Sequence, residues 1–181
     1  MLQLFAFDEV GVVIGDIWFE DPDPGPGQEG LERGVRLELR LMSRQDVSGS
    51  IYASPPILIG EPLWRLDLLE AASSPTGSFD RTHHHPGMSE WEPGDRVFDE
   101  ALSHDPVGWL EGRLEDVSPL LADSGLAPDR VDAAAGEVRA SAPEILAAVR
   151  KLLDRVWQQA SSPPVAESDG VTVRLVRTGW L

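Results

Sequence analysis

The chain has 181 residues, of which 31 are acidic and 15 are basic, so its formal net charge is −16. Its 41% hydrophobic and 25% charged residues are ordinary for a globular domain, and a chain of this length can bury a core of its own. The absence of cysteine excludes disulfides, thiol catalysis and cysteine-ligated zinc. We therefore expect one domain over residues 1–181.

The acidic charge is concentrated in the first part of the chain, because residues 1–104 carry 19 acidic and 7 basic side chains. Such a surface repels nucleic acids and anionic membranes and attracts basic proteins. The first nine residues lack the basic start of a secretory signal, and no apolar run has membrane-spanning length. We predict a soluble, cytoplasmic protein, and its preference for arginine over lysine is typical of a GC-rich bacterial genome.

Residues 1–104 are predicted to form mainly strands and loops. Over residues 35–41, apolar side chains alternate with charged ones, which is typical of a strand with one face in water. Proline, glycine and acidic residues over 20–30 predict a loop. Further strands are predicted over residues 5–7, 10–19, 49–53, 56–59 and 63–69.

The second half changes to helical periodicity, which predicts helices over residues 105–162 with breaks near Pro119 and Gly125. The sequence Ser-Ala-Pro-Glu at 141–144 is a capping box that begins the strongest helix. Alternation over 170–177 predicts a closing strand that returns to the N-terminal sheet. The expected class is therefore α+β, with an antiparallel, curled sheet covered by two or three C-terminal helices.

Three of the four histidines lie together in a stretch that is also rich in carboxylates and tryptophan. Pro86 favours an extended backbone at His85, so His83 and His85 should face one way and His84 the other. Two imidazoles and a carboxylate are a common ligand set for a divalent transition metal. The predicted metal ligands are His83, His85 and Glu90, with Asp80 or His104 as substitutes for Glu90.

Residues 77–90 resemble the first metal motif of the cupins, with its glycine, five residues, His-x-His, four residues and glutamate. The Pro-Gly-Asp sequence at 93–95 looks like another cupin turn. The resemblance implies a metal site at His83, His85 and Glu90. Cupins continue with further strands and a second histidine motif, whereas this chain is predicted to become helical soon afterwards.

A candidate cleft is predicted beside the histidines. Arg65 and Asp67 lie on one face of their predicted strand, where they could bind a substrate or form cross-strand ion pairs. That strand runs toward the histidine stretch, which also contains Trp91 and Arg96. The predicted cleft residues are therefore Arg65, Asp67, Trp91 and Arg96.

Two functions stay open, because the chain lacks a P-loop, a dinucleotide-binding glycine motif, a nucleophile elbow, an HExxH motif and a basic stripe. The first is a small acidic protein that binds a basic partner, as immunity proteins or antitoxins do. The second is a metal-binding protein or a divalent-metal-dependent enzyme that uses His83 and His85, with metal-activated water or oxygen chemistry.

Overall fold

The computed structural model describes residues 1–159 and the strands Val165–Ser168 and Val171–Arg174. Its largest element is a five-stranded antiparallel sheet in which each strand pairs with the next one along the chain. These strands are β1 (Leu2–Ala6), β2 (Val10–Glu20), β3 (Leu31–Arg44), β4 (Ile57–Ala71) and β5 (His83–His85). The sheet with its C-terminal helices confirms the predicted α+β class.

Two separate hairpins accompany the main sheet. One pairs β6 (Met88–Ser89) with β7 (Glu92–Pro93), and the other pairs β8 (Val165–Ser168) with β9 (Val171–Arg174). The strand predicted at the C-terminus therefore pairs with its neighbour β8, which corrects the expectation that it returns to the N-terminal sheet. Alternation of side chains predicts that a strand exists but does not specify its partner.

The helices are α1 (Glu100–His104), α2 (Pro106–Glu115), α3 (Pro128–Ala140) and α4 (Ala142–Gln158), with a 3₁₀ turn at Ser118–Leu121. Asp105 caps α2 by accepting a hydrogen bond from the Gly108 amide. Helix α2 ends at Glu115, and Pro119 lies in the following 3₁₀ turn, which confirms the break predicted near Pro119. No helix among the described residues is long and apolar enough to cross a membrane.

Two predicted strand segments differ from the structure. Residues 49–53 form a turn within the β3–β4 connection, whereas residues 57–59 and 63–69 belong to the single long strand β4 and Pro56 lies just before it. The pairing of β3 with β4 shifts register between Leu39 and Met42, close to Pro62 on the opposite strand. This irregularity lets one strand continue where the proline and glycine content predicted interruptions.

One face of the sheet packs against the helices and forms the hydrophobic core. Across three strands, Ile14 lies opposite Leu37 and Leu37 opposite Leu66, and all three side chains are buried. They join a cluster that includes Ile145 and Val149 of α4. Burial of each such side chain contributes about 1.5–3 kcal/mol, so this face supplies much of the driving force for folding.

A tryptophan pair lies on the same face. Trp64 of β4 stacks on Trp109 of α2 with ring centroids 6.2 Å apart, and the ring of His84 lies 5.1 Å from that of Trp109. The Trp109 indole N–H donates to Asp99 Oδ2. These contacts join α2 to the sheet and place His84 on the helix side.

The strands β3 and β4 approach closely at Gly34. A Cβ atom added there would lie 1.9 Å from the carbonyl oxygen of Leu68, so the position has no room for a side chain. Two residues further along β3, Arg36 lies opposite Asp67. The absence of a side chain at Gly34 therefore preserves the strand spacing on which the polar face depends.

Candidate metal site and cleft

The face of the sheet opposite the helices carries ionisable side chains. Because side chains alternate along each strand, the residues that flank the core positions of β3, β4 and β5 project to this second face. They form two neighbouring rows across the sheet, Arg36–Asp67–His83 and Glu38–Arg65–His85. Side chains directly opposite one another on paired strands are in contact range, so each row is a potential interaction network.

Asp67 occupies the centre of the first row and is 1% exposed. Arg36 donates to it through two hydrogen bonds, from Nε to Oδ1 at 2.7 Å and from Nη2 to Oδ2 at 3.0 Å. Burial by itself raises the pKa of the Asp67 carboxyl, but the Arg36 charge and the hydrogen bonds outweigh burial and hold it below its usual range. Asp67 is therefore an ionised, oriented carboxylate at neutral pH.

His83 and His85 are each oriented by a backbone carbonyl. His83 Nδ1 lies 2.8 Å from the Arg81 oxygen, and His85 Nδ1 lies 2.8 Å from the Gly94 oxygen. Because a carbonyl oxygen only accepts, each Nδ1 carries the hydrogen and each neutral ring keeps its lone pair on Nε2. Burial lowers the pKa of His83 to about 4, so this ring is neutral at pH 7.

The three groups converge on one point. Asp67 Oδ2 lies 3.5 Å from His83 Nε2 and 3.7 Å from His85 Nε2, and one ligand atom from each residue lies within 4.8 Å of the others. These separations exceed those of good hydrogen bonds. Around a tetrahedral zinc ion with ligand distances of about 2.0–2.2 Å, neighbouring ligand atoms are about 3.3–3.6 Å apart. The two separations from Asp67 therefore match those around one tetrahedral ion to within a few tenths of an ångström.

The residues predicted as third ligands lie elsewhere. Glu90 is exposed and lines a separate cavity, and His104 is exposed on α1. Asp80 accepts hydrogen bonds from the Ala71 amide and from two serine hydroxyls of its own loop. Among the described residues, Asp67 takes the third position instead. Asp67 is two residues from Arg65, so the sequence indicated that the two side chains share one face of their strand. The sequence does not show that β5 pairs with β4.

Asp67, His83 and His85 line a cavity of about 280 Å³. The two histidines and all four residues of the predicted cleft line this cavity, together with apolar walls from β2 such as Ile17 and Phe19. Arg65 and Asp67 do not pair with each other, because Arg65 donates to Glu38 at 2.8 Å while Asp67 binds Arg36. Each residue therefore makes a cross-strand ion pair, as one interpretation of the sequence expected, and also lines the cleft, whereas binding of a substrate by these residues stays a prediction.

Two loops cover the sides of the cavity. Arg96 donates to Asp21 at 2.8 Å and so connects the segment after the histidines to the acidic loop 20–30. The Arg40 guanidinium lies over the exposed ring of Trp91 in a cation–π contact, 5.4 Å from the ring centroid. These contacts place Trp91 at the mouth of the cleft.

Sequence reasoning missed how deeply the charged face of β3 is buried. Its alternation predicted a face in water, yet Glu38 is 1% and Arg40 is 7% exposed, and Arg40 donates to Glu38. Glu32, on the same face of β3, is 1% exposed, and its carboxylate makes no hydrogen bond to a described residue, although Arg81 Nε lies 3.6 Å from Oε1. Burial raises the pKa of the Glu32 carboxyl to about 7 despite the nearby Arg96 and Arg81 charges.

Comparison of the chain with protein-family models, with curated proteins and with solved structures gave no match. The cupin-like pattern does not extend to the architecture, because the five-stranded sheet is open and the carboxylate beside the two histidines comes from β4.

Proposed function

We propose that the protein binds one divalent transition-metal ion through Asp67, His83 and His85 and uses it in metal-dependent chemistry within the cleft. The observation that carries this proposal is the convergence of Asp67 Oδ2 and the two histidine Nε2 atoms. Each ligand is oriented by a second group: Arg36 for the carboxylate and a backbone carbonyl for each ring. Metal-binding histidines in proteins are held in this way by their other ring nitrogen.

Electrostatics also favours a cation at this point. When both Nδ1 atoms carry the hydrogen, the Nε2 lone pairs of His83 and His85 face each other and Asp67 Oδ2. These electron-rich atoms repel one another unless a cation or an added proton lies between them. The low pKa of His83 disfavours a proton on Nε2 of that ring near neutral pH. Arg36 offsets part of the attraction for a metal, so we expect moderate affinity.

The donor set and spacing favour Zn²⁺. Octahedral coordination at about 2.1 Å places adjacent ligand atoms about 3.0 Å apart, whereas the observed 3.5 and 3.7 Å are nearer the tetrahedral value. A zinc ion with three protein ligands keeps an open position and supplies a Lewis acid. The adjacent cavity gives a small molecule access to that position.

The test is metal content and metal-induced stabilisation. Wild-type protein should take up one Zn²⁺ per chain and unfold at a higher temperature when zinc is added, because an ion that binds only the folded state stabilises it. A His83→Ala/His85→Ala variant should lose both effects, whereas a variant of the exposed His104, His104→Ala, should retain them.

If the double variant does not fold, Asp67→Asn preserves side-chain shape and should weaken zinc binding. The proposal fails if wild-type protein contains no metal and gains no thermal stability from Zn²⁺, Mn²⁺, Fe²⁺ or Ni²⁺.

Binding of a basic protein by the acidic first part of the chain stays a prediction. It is supported by the net charge of −12 over residues 1–104, from 19 acidic and 7 basic side chains. It predicts a partner that dissociates as ionic strength rises, because exposed charges are screened by salt. A partner whose affinity is unchanged in high salt would contradict it.

A further inference from the structure

Three arginines, Arg36, Arg65 and Arg96, line the cleft, and each is paired with a carboxylate, that of Asp67, Glu38 and Asp21 respectively. Glu92 is the other acidic residue of the lining, so these seven groups sum to a formal charge of −1 with neutral histidines. A bound divalent ion would change this sum to +1. A cleft of one sign within low-dielectric walls attracts ligands of the opposite sign, so the metal-loaded cleft would attract anions.

Two of these arginines have unused hydrogen-bond donors. A guanidinium has five N–H groups. Among the described residues, Arg65 uses one of them on Glu38 and Arg96 uses one on Asp21. The Arg65 side chain is 12% exposed, so it lies against the cavity rather than in open water. The other four N–H groups of each arginine make no hydrogen bond to a described residue, which leaves donors on both side chains available to a ligand.

We propose that the ligand of the cleft is a small oxyanion, a phosphate or carboxylate group, which Arg65 and Arg96 bind beside the metal ligands. This inference rests on the proposed metal site, to which the anion would be presented. Arginine forks match the paired oxygens of both groups. The cavity of about 280 Å³ is at the small end of ligand pockets, which favours a small molecule over a polymer. Trp91 at the mouth offers a ring to the organic part of the ligand.

Cobalt-loaded protein provides the test, because Co²⁺ replaces Zn²⁺ in such sites and its visible absorption reports its ligands. The probes are inorganic phosphate, acetate and the neutral isostere acetamide. Phosphate or acetate should change the cobalt spectrum in a saturable way, and acetamide should not. The tighter of the two anions identifies the class of substrate group.

The variant Arg96→Gln should weaken anion binding by about 10- to 100-fold, the usual effect of losing a charge-assisted hydrogen bond. Arg44→Gln is the matched control, because Arg44 also pairs with an aspartate but lies outside the cleft. It should bind anions as wild type does.

The two proposals fail in different ways. Absence of cobalt uptake before any anion is added contradicts the metal site, and calorimetry with the metal-free protein then decides whether anions bind the arginines alone. Full cobalt uptake with equal binding of acetate and acetamide overturns the anion proposal, as does an Arg96→Gln variant that binds phosphate with wild-type affinity.

Discussion

The two faces of the same sheet are both buried but are stabilised by different interactions. On the helix side, the row Ile14–Leu37–Leu66 is apolar and is covered by α4. On the cleft side, the neighbouring row Arg36–Asp67–His83 consists of charged and polar groups that contact one another in fixed geometries. Hydrophobic burial is non-directional, whereas buried ions require specific partners.

This difference supports the proposal that the functional site lies on the cleft face. Apolar residues of similar size would often stabilise a fold as well as buried ion pairs do, because ion pairs lose their hydration. A sheet that keeps Arg36, Glu38, Arg65 and Asp67 on one buried face is therefore not explained by stability alone. Burying charged side chains at the cost of their hydration is typical of binding and catalytic sites.

The largest expected effect comes from removing a cation from the cleft face. Arg36→Met leaves the Asp67 carboxylate buried without its principal partner, which should lower the free energy of unfolding of the metal-free protein by about 3–5 kcal/mol. Arg44→Met breaks a pair with Asp8 in which both side chains are mostly exposed, and should cost about 1 kcal/mol or less. Urea unfolding with EDTA measures both.

The pH dependence of the Arg36→Met effect has a defined sign. The pKa of Asp67 is depressed in the folded protein, so its contribution is present above its unfolded pKa, about 3.9, and is lost as pH falls below it. The difference between wild type and Arg36→Met should therefore narrow in acid. Equal, small losses for Arg36→Met and Arg44→Met would remove the contrast between buried and exposed pairs.

The next largest effect compares two leucines of β4 on opposite faces. Leu66 is 0% exposed within the core, whereas Leu69 is 1% exposed but lines the cleft. Leu66→Ala should lower the free energy of unfolding by an amount in the upper part of the range of about 2–5 kcal/mol, because it leaves an empty cavity in a packed interior. Leu69→Ala should lower it by an amount near the lower end of that range, because the space it leaves opens to the solvated cleft. Equal losses in denaturant unfolding would contradict this distinction.

The last expected effect is a change in the pH profile of stability at Glu32. Its pKa is raised to about 7, so its contribution to stability is present below about pH 4.5 and is lost as pH rises through 7. Glu32→Gln removes that loss. The free energy of unfolding of the variant minus that of wild type should therefore increase between pH 4.5 and 7, by at most about 1.4 kcal/mol per pH unit.

Urea unfolding between pH 4.5 and 8 with EDTA tests the Glu32 prediction. The lowered pKa of His83 acts in the opposite direction between about pH 4 and 6.5, and taking the difference between the two proteins cancels it. Parallel profiles for wild type and Glu32→Gln would show that Glu32 does not titrate in this range.

Local pattern in the sequence predicted much of the fold. Alternation marked β3 and the face shared by Arg65 and Asp67, and helical spacing after Ser141 marked α4. The start of α4 is where the capping-box pattern predicted it, but the Ser141 side chain makes no capping hydrogen bond. The opposite orientations of His83 and His84 also follow from extended backbone next to Pro86, and the structure shows them. These features depend on neighbours within a few residues.

Features set by distant parts of the chain were not predictable in the same way. The carboxylate beside the histidines depends on which strand lies next to β5. Glu90 is only five residues from His85 in sequence, but this made it no better a candidate than Asp67 on β4. Glu38 and Arg40 alternate as solvent-facing residues do, and only the loops folded over them make that face an interior. The pairing of β9 with β8 likewise depends on a choice between partners.

The tryptophans give the two faces separate optical signals. Trp64 and Trp109 are stacked at 6.2 Å with their planes 20° apart, so their excited states should couple and give a paired circular-dichroism band in the far ultraviolet. Trp91 is 52% exposed at the mouth of the cleft, where its fluorescence should respond to what enters. Docking of α2 onto the sheet and occupancy of the cleft can thus be followed independently, in one cuvette and without a label.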